Sequence, residues 1–403
     1  MSPHPFNLTS GNNVEDNRPA AIMLSSVKRI VNIQDWDGVG SGRTRKSQTQ
    51  LKTQIQLKTH GLQRQCIRIS PPFTRLEHYK LFIDTGEEDN TFDEYLEIPF
   101  PLKSRFFCYF SLLGYVKGLF CVFEHDRSKI FFWNPSIRKS ISLPKPGITE
   151  KTHGSFEDYL GFGFDSRAND YKVVRVVSLS GTKPSEVVEV PVVEVYSLDV
   201  GTWKASSGAA DSFPLGFRLV HTGWPSACLE GAIHFTAWHR RNWSARLICS
   251  FDLGDEVFKT MSLPNGLSNG EIRTTVFRGL LSLLCHGDSD QSNKFCTVWI
   301  MKEYGVVDSW YKYVKVDLTG GLVRVIGIRN NGHILLDGDK PGPCDWDWEL
   351  SSYDPWIKEI KKLGIDGFIG RFHVDTYEEN LILLNKTDVP VSRMGGKRKR
   401  KDR

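Results

Sequence analysis

The pattern of hydrophobic and polar residues changes at about position 77. From there on, short runs of Val, Ile, Leu, Phe, Tyr and Trp alternate with Gly, Asp, Asn and Pro, and almost nothing recurs at the period of a helix. Runs such as Asp170–Val177 have the length and the β-branched composition of buried strands. The pattern therefore predicts an all-β fold.

The strand-like runs recur as a unit, in which a glycine-containing run is followed by an aromatic run with a polar corner and then by a charged run. The aromatic residues before the corners lie 48 to 63 residues apart, and they are Trp133, Tyr196, Phe251, Trp299 and Tyr353. Propeller blades of four strands repeat at about 40–50 residues. We therefore predict a β-propeller of about six blades. The irregular spacing leaves five or seven blades, or two packed antiparallel sheets, as alternatives.

One of the six blades is predicted to be shared between the two ends of the chain. Runs at 79–84 and 94–99 have the composition of outer strands, and residues 372–384 are predicted to form an inner hairpin without following partners. If the N- and C-terminal strands pair, the ring closes and leaves only short, protected edges.

Three regions follow from this pattern. Residues 1–76 contain few large apolar residues and 11 Lys/Arg against 4 Asp/Glu, and we predict a poorly ordered basic segment there. Residues 77–386 form the predicted propeller domain, and residues 387–403 a disordered basic tail. The tail contains a run typical of nuclear-import signals, so we expect a cytoplasmic and/or nuclear protein; its residues are Lys397, Arg398, Lys399, Arg400 and Lys401.

The net charge of +5 lies in the two ends of the chain, because residues 77–392 are mildly acidic. Nucleic acid is therefore an unlikely partner of the folded part. No apolar run approaches the roughly 20 residues of a membrane-spanning helix, and the N-terminus lacks the pattern of a secretory signal. The eight cysteines are scattered singly, without a C-x-x-C pair, and we interpret them as reduced thiols that pack in strands.

The sequence contains little that indicates catalysis. The glycine-rich stretch Gly38–Gly42 lacks the Lys-Ser/Thr of a phosphate-binding loop. His234 and His239 flank the end of a strand without a third metal ligand. We therefore predict no enzymatic activity, no metal and no cofactor.

Three loops are better candidates for binding a partner, because propellers bind through loops and because Trp and Arg dominate interaction hot spots. Residues 236–244 combine two tryptophans with two arginines, residues 344–349 combine two tryptophans with three acids, and residues 216–224 combine aromatic and basic groups. The candidate residues are Trp238, Arg240, Arg241, Trp243, Trp346, Trp348, Phe217 and Trp224. The structural alternative is that these tryptophans fold back over the blade edges.

The corner Trp133-Asn134-Pro135-Ser136 has a structural interpretation. Pro135 fixes its own φ and disfavours helix at Asn134, and Asn and Ser side chains bond to nearby backbone groups in turns. We predict that the corner joins two antiparallel strands and that Trp133 packs in the interior.

The ordered motifs resemble those of a known family. GLFCVF, FFWNPSIRKSISLPKP, GFGFDSRANDYKVVRVV, VVEVYSLDVGTWK, ICSFDLGDEVFKTMSLP and TVWIMKEYGVVDSWYKYVKV follow in the order seen in plant F-box proteins with an F-box-associated interaction domain. The resemblance covers about residues 77–386, and it implies a kelch-like β-propeller. Residues 1–76 do not show the Leu-Pro opening and the Val-x-Lys-x-Trp ending of the family's F-box.

The resemblance also implies a function, which is that of a non-catalytic substrate-recognition component of an SCF-type ubiquitin ligase. Its partners would be target proteins and, through an F-box, a Skp-type adaptor and a cullin. One alternative is a stand-alone propeller scaffold that has lost the F-box and sequesters targets. Another is a propeller that binds glycans or small ligands, which would also use exposed tryptophans and acids.

Overall fold

The computed structural model describes residues 63–69, 78–84, 92–102, 110–124, 129–179, 190–220, 223–267, 270–287, 294–329, 331–340, 347–368, 372–382 and 384. Most of these residues are in β-strands, and the two α-helices among them are short, α1 (Glu150–His153) and α2 (Ser207–Ser212). The all-β prediction is confirmed. The predictions for residues 1–62 and for the tail from residue 385 onward lie outside the described residues.

The strands form six antiparallel sheets, which are the blades of a propeller, and five of them are built from consecutive strands. Blade 2 contains β4 (Phe110–Val116), β5 (Leu119–Glu124), β6 (Ile130–Asn134) and β7 (Lys139–Ser142). Blade 3 contains β8 (Phe156–Asp165), β9 (Asp170–Leu179), β10 (Val192–Ser197) and β11 (Thr202–Ala205).

Blade 4 has five strands because two short strands share its innermost position, each pairing with one half of the next strand. They are β12 (Phe217–Leu219) and β13 (Ala227–Leu229), followed by β14 (Ala232–His239), β15 (Asn242–Asp252) and β16 (Val257–Ser262). Blade 5 contains β17 (Ile272–Phe277), β18 (Leu280–His286), β19 (Phe295–Met301) and β20 (Trp310–Asp317). Blade 6 contains β21 (Leu322–Ile328), β22 (Ile334–Asp339), β23 (Asp347–Asp354) and β24 (Glu359–Phe368).

Blade 1 joins the two ends of the propeller and closes the ring. Its strand order is β25 (His373–Tyr377), β1 (Gln63–Ile69), β2 (His78–Asp84) and β3 (Phe92–Pro99). The predicted sharing of one blade between N- and C-terminal strands is confirmed. The predicted inner hairpin at 372–384 is wrong, because β25 pairs with β1 and residues 378–382 are not in a strand. β1 also precedes residue 77, so the propeller sheet begins earlier than predicted.

The hydrophobic core lies between neighbouring blades. Each of six clusters of buried side chains joins two adjacent sheets, including the pair at the closure, where Phe82 of blade 1 clusters with Leu335 and Leu350 of blade 6. The five aromatic residues that mark the repeat all lie in third strands. Trp133 is fully buried and packs edge-on against Tyr79 of blade 1, as its structural interpretation predicts.

The polar corners cap the turns that follow the third strands. The Asn134 side chain accepts a hydrogen bond from Ser136 N at 3.0 Å, Asp252 accepts one from Gly254 N at 3.0 Å, and Asp354 accepts one from Trp356 N at 2.8 Å. A short polar side chain at the last strand position therefore starts each of these turns.

Candidate partner-binding face

The propeller has two faces that differ in their connections. We call the face at which the innermost strands begin the loop face, because it contains the connections between blades and those between second and third strands. The opposite face, with the capped corners, is the corner face. Innermost strands surround a central channel of about 430 Å³, lined among others by Tyr115, Ala227, Thr274 and Val374.

The described parts of the three predicted binding segments lie at the loop face or next to it. β12 begins at Phe217, the turn 240–241 joins β14 to β15, and β22 ends and β23 begins on either side of residues 341–346. Trp346 lies outside the described residues, and the side chain of Trp243 in β15 is outside them as well.

The tip of the β14–β15 hairpin is basic. Arg240 and Arg241 are exposed at the turn, and Arg240 N donates to Gly216 O at 2.8 Å. Arg218 lies nearby on β12, opposite the half-buried Trp238 in the strand register. Burial and the charge of Arg240 lower the pKa of Arg218, so the two guanidinium groups repel each other. Because Arg218 also bonds Glu157 and Tyr159 of blade 3, the positive charge presented to a partner comes from the exposed Arg240 and Arg241.

Two other predicted binding residues, Phe217 and Trp348, are partly or almost fully buried. Phe217 is half-buried and meets the His239 ring edge-on, with centroids 5.2 Å apart. Trp348 is only 3% exposed and belongs to the core between blades 6 and 1. Trp348 is therefore not an exposed partner contact, because β23 turns its indole inward, while the neighbouring Glu349 is half-buried and pairs with Lys362.

Trp224 stands at the mouth of the channel on the loop face, between two guanidinium groups. The carbon of the Arg273 guanidinium lies 4.4 Å from the indole centroid and that of Arg324 lies 5.0 Å from it. Arg324 lies at the same 5.0 Å from Trp348, so cations and indoles alternate. Such contacts contribute about 0.5–2 kcal/mol each. Trp224 is therefore held in one orientation while part of it stays accessible.

Each of the two arginines is held in place by hydrogen bonds to a carboxylate. Arg273 makes two hydrogen bonds to Glu271, at 2.8 and 3.2 Å, and Arg324 makes two to the fully buried Asp337. Burial opposes ionisation of Glu271, but the hydrogen bonds and charge of Arg273 prevail and lower the pKa of its carboxyl. Sequence reasoning selected Trp224 and missed Arg273, Glu271, Arg324 and Asp337, because the strands that carry them are distant along the chain.

The described residues contain no group of three or more His, Cys, Asp or Glu side chains arranged for a metal ion. His234 is fully buried, and its Nε2 lies 2.9 Å from the Tyr304 hydroxyl of the next blade. Burial lowers the pKa of His234 to about 4. Five cysteines in the described part are free thiols, and burial raises the pKa of Cys121, Cys228, Cys249, Cys285 and Cys296. No helix among the described residues has the length and apolar character needed to span a membrane.

Six four- and five-stranded blades around a channel, closed by pairing of the two chain ends, define a β-propeller. The family model of the F-box associated β-propeller domain matches residues 73–373, about three quarters of the chain. The chain belongs to this family. Its sequence is also similar to those of plant F-box proteins.

Three relatives come from Arabidopsis thaliana. F-box protein At3g07870 is 26% identical over 304 residues, which cover 66% of this chain and 68% of the relative. F-box/kelch-repeat protein At3g23880 is 26% identical over 232 residues, covering 57% and 59%, and F-box protein CPR1 is 32% identical over 197 residues, covering 46% and 47%. The chain thus matches between about half and two thirds of the length of these relatives.

Proposed function

We propose that this protein is the non-catalytic target-recognition component of an SCF-type ubiquitin ligase. The family match and the printed names of the relatives, all F-box proteins, support this role. Ubiquitin transfer would then depend on proximity, because the propeller holds a target near a ligating enzyme carried elsewhere in the complex.

The loop face is the proposed target-binding surface. The observation that carries this assignment is the ordered Trp224, fixed between Arg273 and Arg324 at the channel mouth. The exposed Arg240 and Arg241 lie on the same face and favour a target with acidic residues. A rigid aromatic anchor with positive charge on the same face is the composition expected of a hot spot.

Affinity purification of the full chain from plant cells tests both parts of the proposal. We expect a Skp-type adaptor and a cullin among the recovered proteins, together with targets whose amounts rise when the proteasome is inhibited. The variant Arg240→Glu/Arg241→Glu should lose targets and keep the adaptor. The matched variant Lys302→Glu/Lys312→Glu makes the same charge change away from the loop face and should keep both.

Two results would contradict the proposal in different ways. Recovery of targets without adaptor and cullin would favour the alternative of a stand-alone propeller scaffold that sequesters its targets. Equal loss of targets in both charge-reversal variants would show that overall charge, and not the loop face, determines target binding.

A further inference from the structure

Large apolar side chains are exposed in the last strand of blade 6 and in the turn before it. Trp356 and Ile357, in the turn before β24, are 65% and 67% exposed, and Ile360 in β24 is 47% exposed. The Trp356 indole reaches over the turn between β21 and β22, where it lies near Gly332 and His333, so Ile357 and Ile360 are the apolar residues considered for the free edge. We call residues 356–362 the β24 edge.

The backbone of this edge is available for pairing. β24 has ten residues and is the longest of the six outermost strands, whereas β7 and β11 have four each. It pairs with β23 on one side, and no described strand pairs with its other side. An unpaired edge presents a row of N–H and C=O groups that a further strand can bond.

The charge of the β24 edge is positive. Lys358, Lys361 and Lys362 are exposed on it together with one acid, Glu359. Lys362 donates to Glu349 of the same blade at 2.8 Å, which leaves Lys358 and Lys361 as the cations directed to a partner.

This charge decides which occupant fits. A second copy of the chain would bring two edges of net positive charge together, and the basic run Lys397–Lys401 of the chain itself would be repelled as well. Lysines on an edge strand commonly prevent self-association. Here they lie near the exposed side chains of Ile357 and Ile360, so the edge disfavours basic strands and retains apolar surface for an acidic one.

We propose that the β24 edge binds an extended, acidic segment of a partner protein by strand addition. Backbone hydrogen bonds to β24 supply affinity, apolar side chains of the segment pack on Ile357 and Ile360, and its carboxylates pair with Lys358 and Lys361. The edge lies on the outer rim of blade 6, away from the channel mouth, so this interaction is additional to target binding at the loop face.

The test uses the full chain and two fluorescein-labelled ten-residue peptides, one alternating valine with glutamate and the other alternating valine with lysine. Fluorescence anisotropy should show binding of the glutamate peptide and much weaker binding of the lysine peptide. Lys358→Glu/Lys361→Glu should weaken glutamate-peptide binding by about tenfold or more. Lys139→Glu/Lys204→Glu makes the same charge change on the outermost strands β7 and β11 and should have no such effect.

Amide hydrogen exchange separates strand addition from loose electrostatic attraction. Exchange at residues 359–363 should slow when the glutamate peptide is bound, and Ile357→Ala/Ile360→Ala should reduce this protection. The proposal is overturned if the glutamate peptide binds no better than the lysine peptide, if both charge-reversal variants lose binding equally, or if exchange in β24 does not change.

Discussion

The side-chain amide nitrogen of Asn134 donates hydrogen bonds to two backbone carbonyls of the segment after β25, Asn380 O at 2.9 Å and Ile382 O at 3.2 Å. Asn134 is fully buried and ends the third strand of blade 2. The corner thus does more than reverse the chain, because it holds the segment that follows the closing strand of the propeller.

Other side chains of the same corner region hold this segment too. Ser136 Oγ lies 3.0 Å from Tyr377 Oη and accepts from Asn380 N at 3.1 Å. The Tyr115 hydroxyl donates to Glu378 O at 3.0 Å. The ring is therefore closed twice, once by pairing of β25 with β1 and once by side chains of blade 2 that bind the residues after β25.

Asn134→Ala should lower the free energy of unfolding by about 2 kcal/mol, because it leaves two part-buried carbonyl groups without this donor and Ser136 N without its acceptor. Asn134→Asp should cost more, since a carboxylate would face those carbonyl oxygens. Urea denaturation of each variant measures the change. Asn242→Ala, which removes an exposed asparagine that caps Ser244 N, is the control and should cost less than 1 kcal/mol. Equal losses for Asn134→Ala and Asn242→Ala would show that the contact to Asn380 adds nothing to stability.

Close packing between blades 3 and 4 depends on the absence of a side chain at Gly163 in β8. A Cβ built at Gly163 would lie 2.6 Å from Leu253 Cδ1 and 2.8 Å from Cys228 Sγ. Gly163→Ala should therefore force the two sheets apart and cost about 1–3 kcal/mol. Gly327 in β21 is the matched control on another innermost strand, since a Cβ there would meet only Val374 Cβ, at 3.9 Å. Thermal unfolding should show a lower Tm for Gly163→Ala and little change for Gly327→Ala, and the reverse order would contradict this account.

Much of this architecture was predictable from the sequence, because the repeat is local. Alternating apolar residues and Asn or Asp corners are set within a few positions, so the strand runs and the markers from Trp133 to Tyr353 were identified correctly. β1 was missed because its sequence, Gln-Arg-Gln-Cys-Ile-Arg-Ile, is basic and polar, and it becomes a strand only through pairing with β2 and β25. Tertiary pairing there overrides the local pattern.

The site was less predictable than the fold. The candidate residues were chosen by type, and the structure places Trp224 at the channel mouth but Trp348 in the core between blades 6 and 1. Exposure of a tryptophan in a blade depends on which side of the sheet it faces, and the bulge between Glu349 and Ser351 alters that alternation. The partners Arg273 and Arg324 come from two further blades, and pattern reasoning on single segments does not bring them together.

The nuclear part of the expected localisation depends on the basic tail. A fluorescent fusion of the full chain should accumulate in nuclei, and the same fusion without residues 395–403 should be distributed between nucleus and cytoplasm. Substitution of Lys397, Arg398, Lys399, Arg400 and Lys401 by glutamine keeps the length of the tail and should reproduce the effect of the deletion. Identical distributions of all three fusions would refute a role of the tail in import.

The stability of the propeller should depend on pH through buried histidine. Burial lowers the pKa of His234 in the folded protein to about 4 from an ordinary value of 6.5. Between these two pH values the unfolded chain binds a proton at this histidine and the folded chain does not. The free energy of unfolding therefore keeps its full contribution from His234 above pH 6.5 and loses it as the pH falls toward 4. The full loss amounts to about 3 kcal/mol.

His234→Gln removes this titration and retains a side-chain group that can hydrogen-bond Ala227 O and Tyr304 Oη, the two partners of the imidazole. Relative to the wild type, the variant should lose less stability between pH 6.5 and pH 4, as measured by urea denaturation at several pH values. His153→Gln replaces an exposed histidine of α1 and should leave the wild-type pH dependence unchanged. If His234→Gln and the wild type lose stability in parallel over this range, the imidazole is not kept neutral by its place between blades 4 and 5.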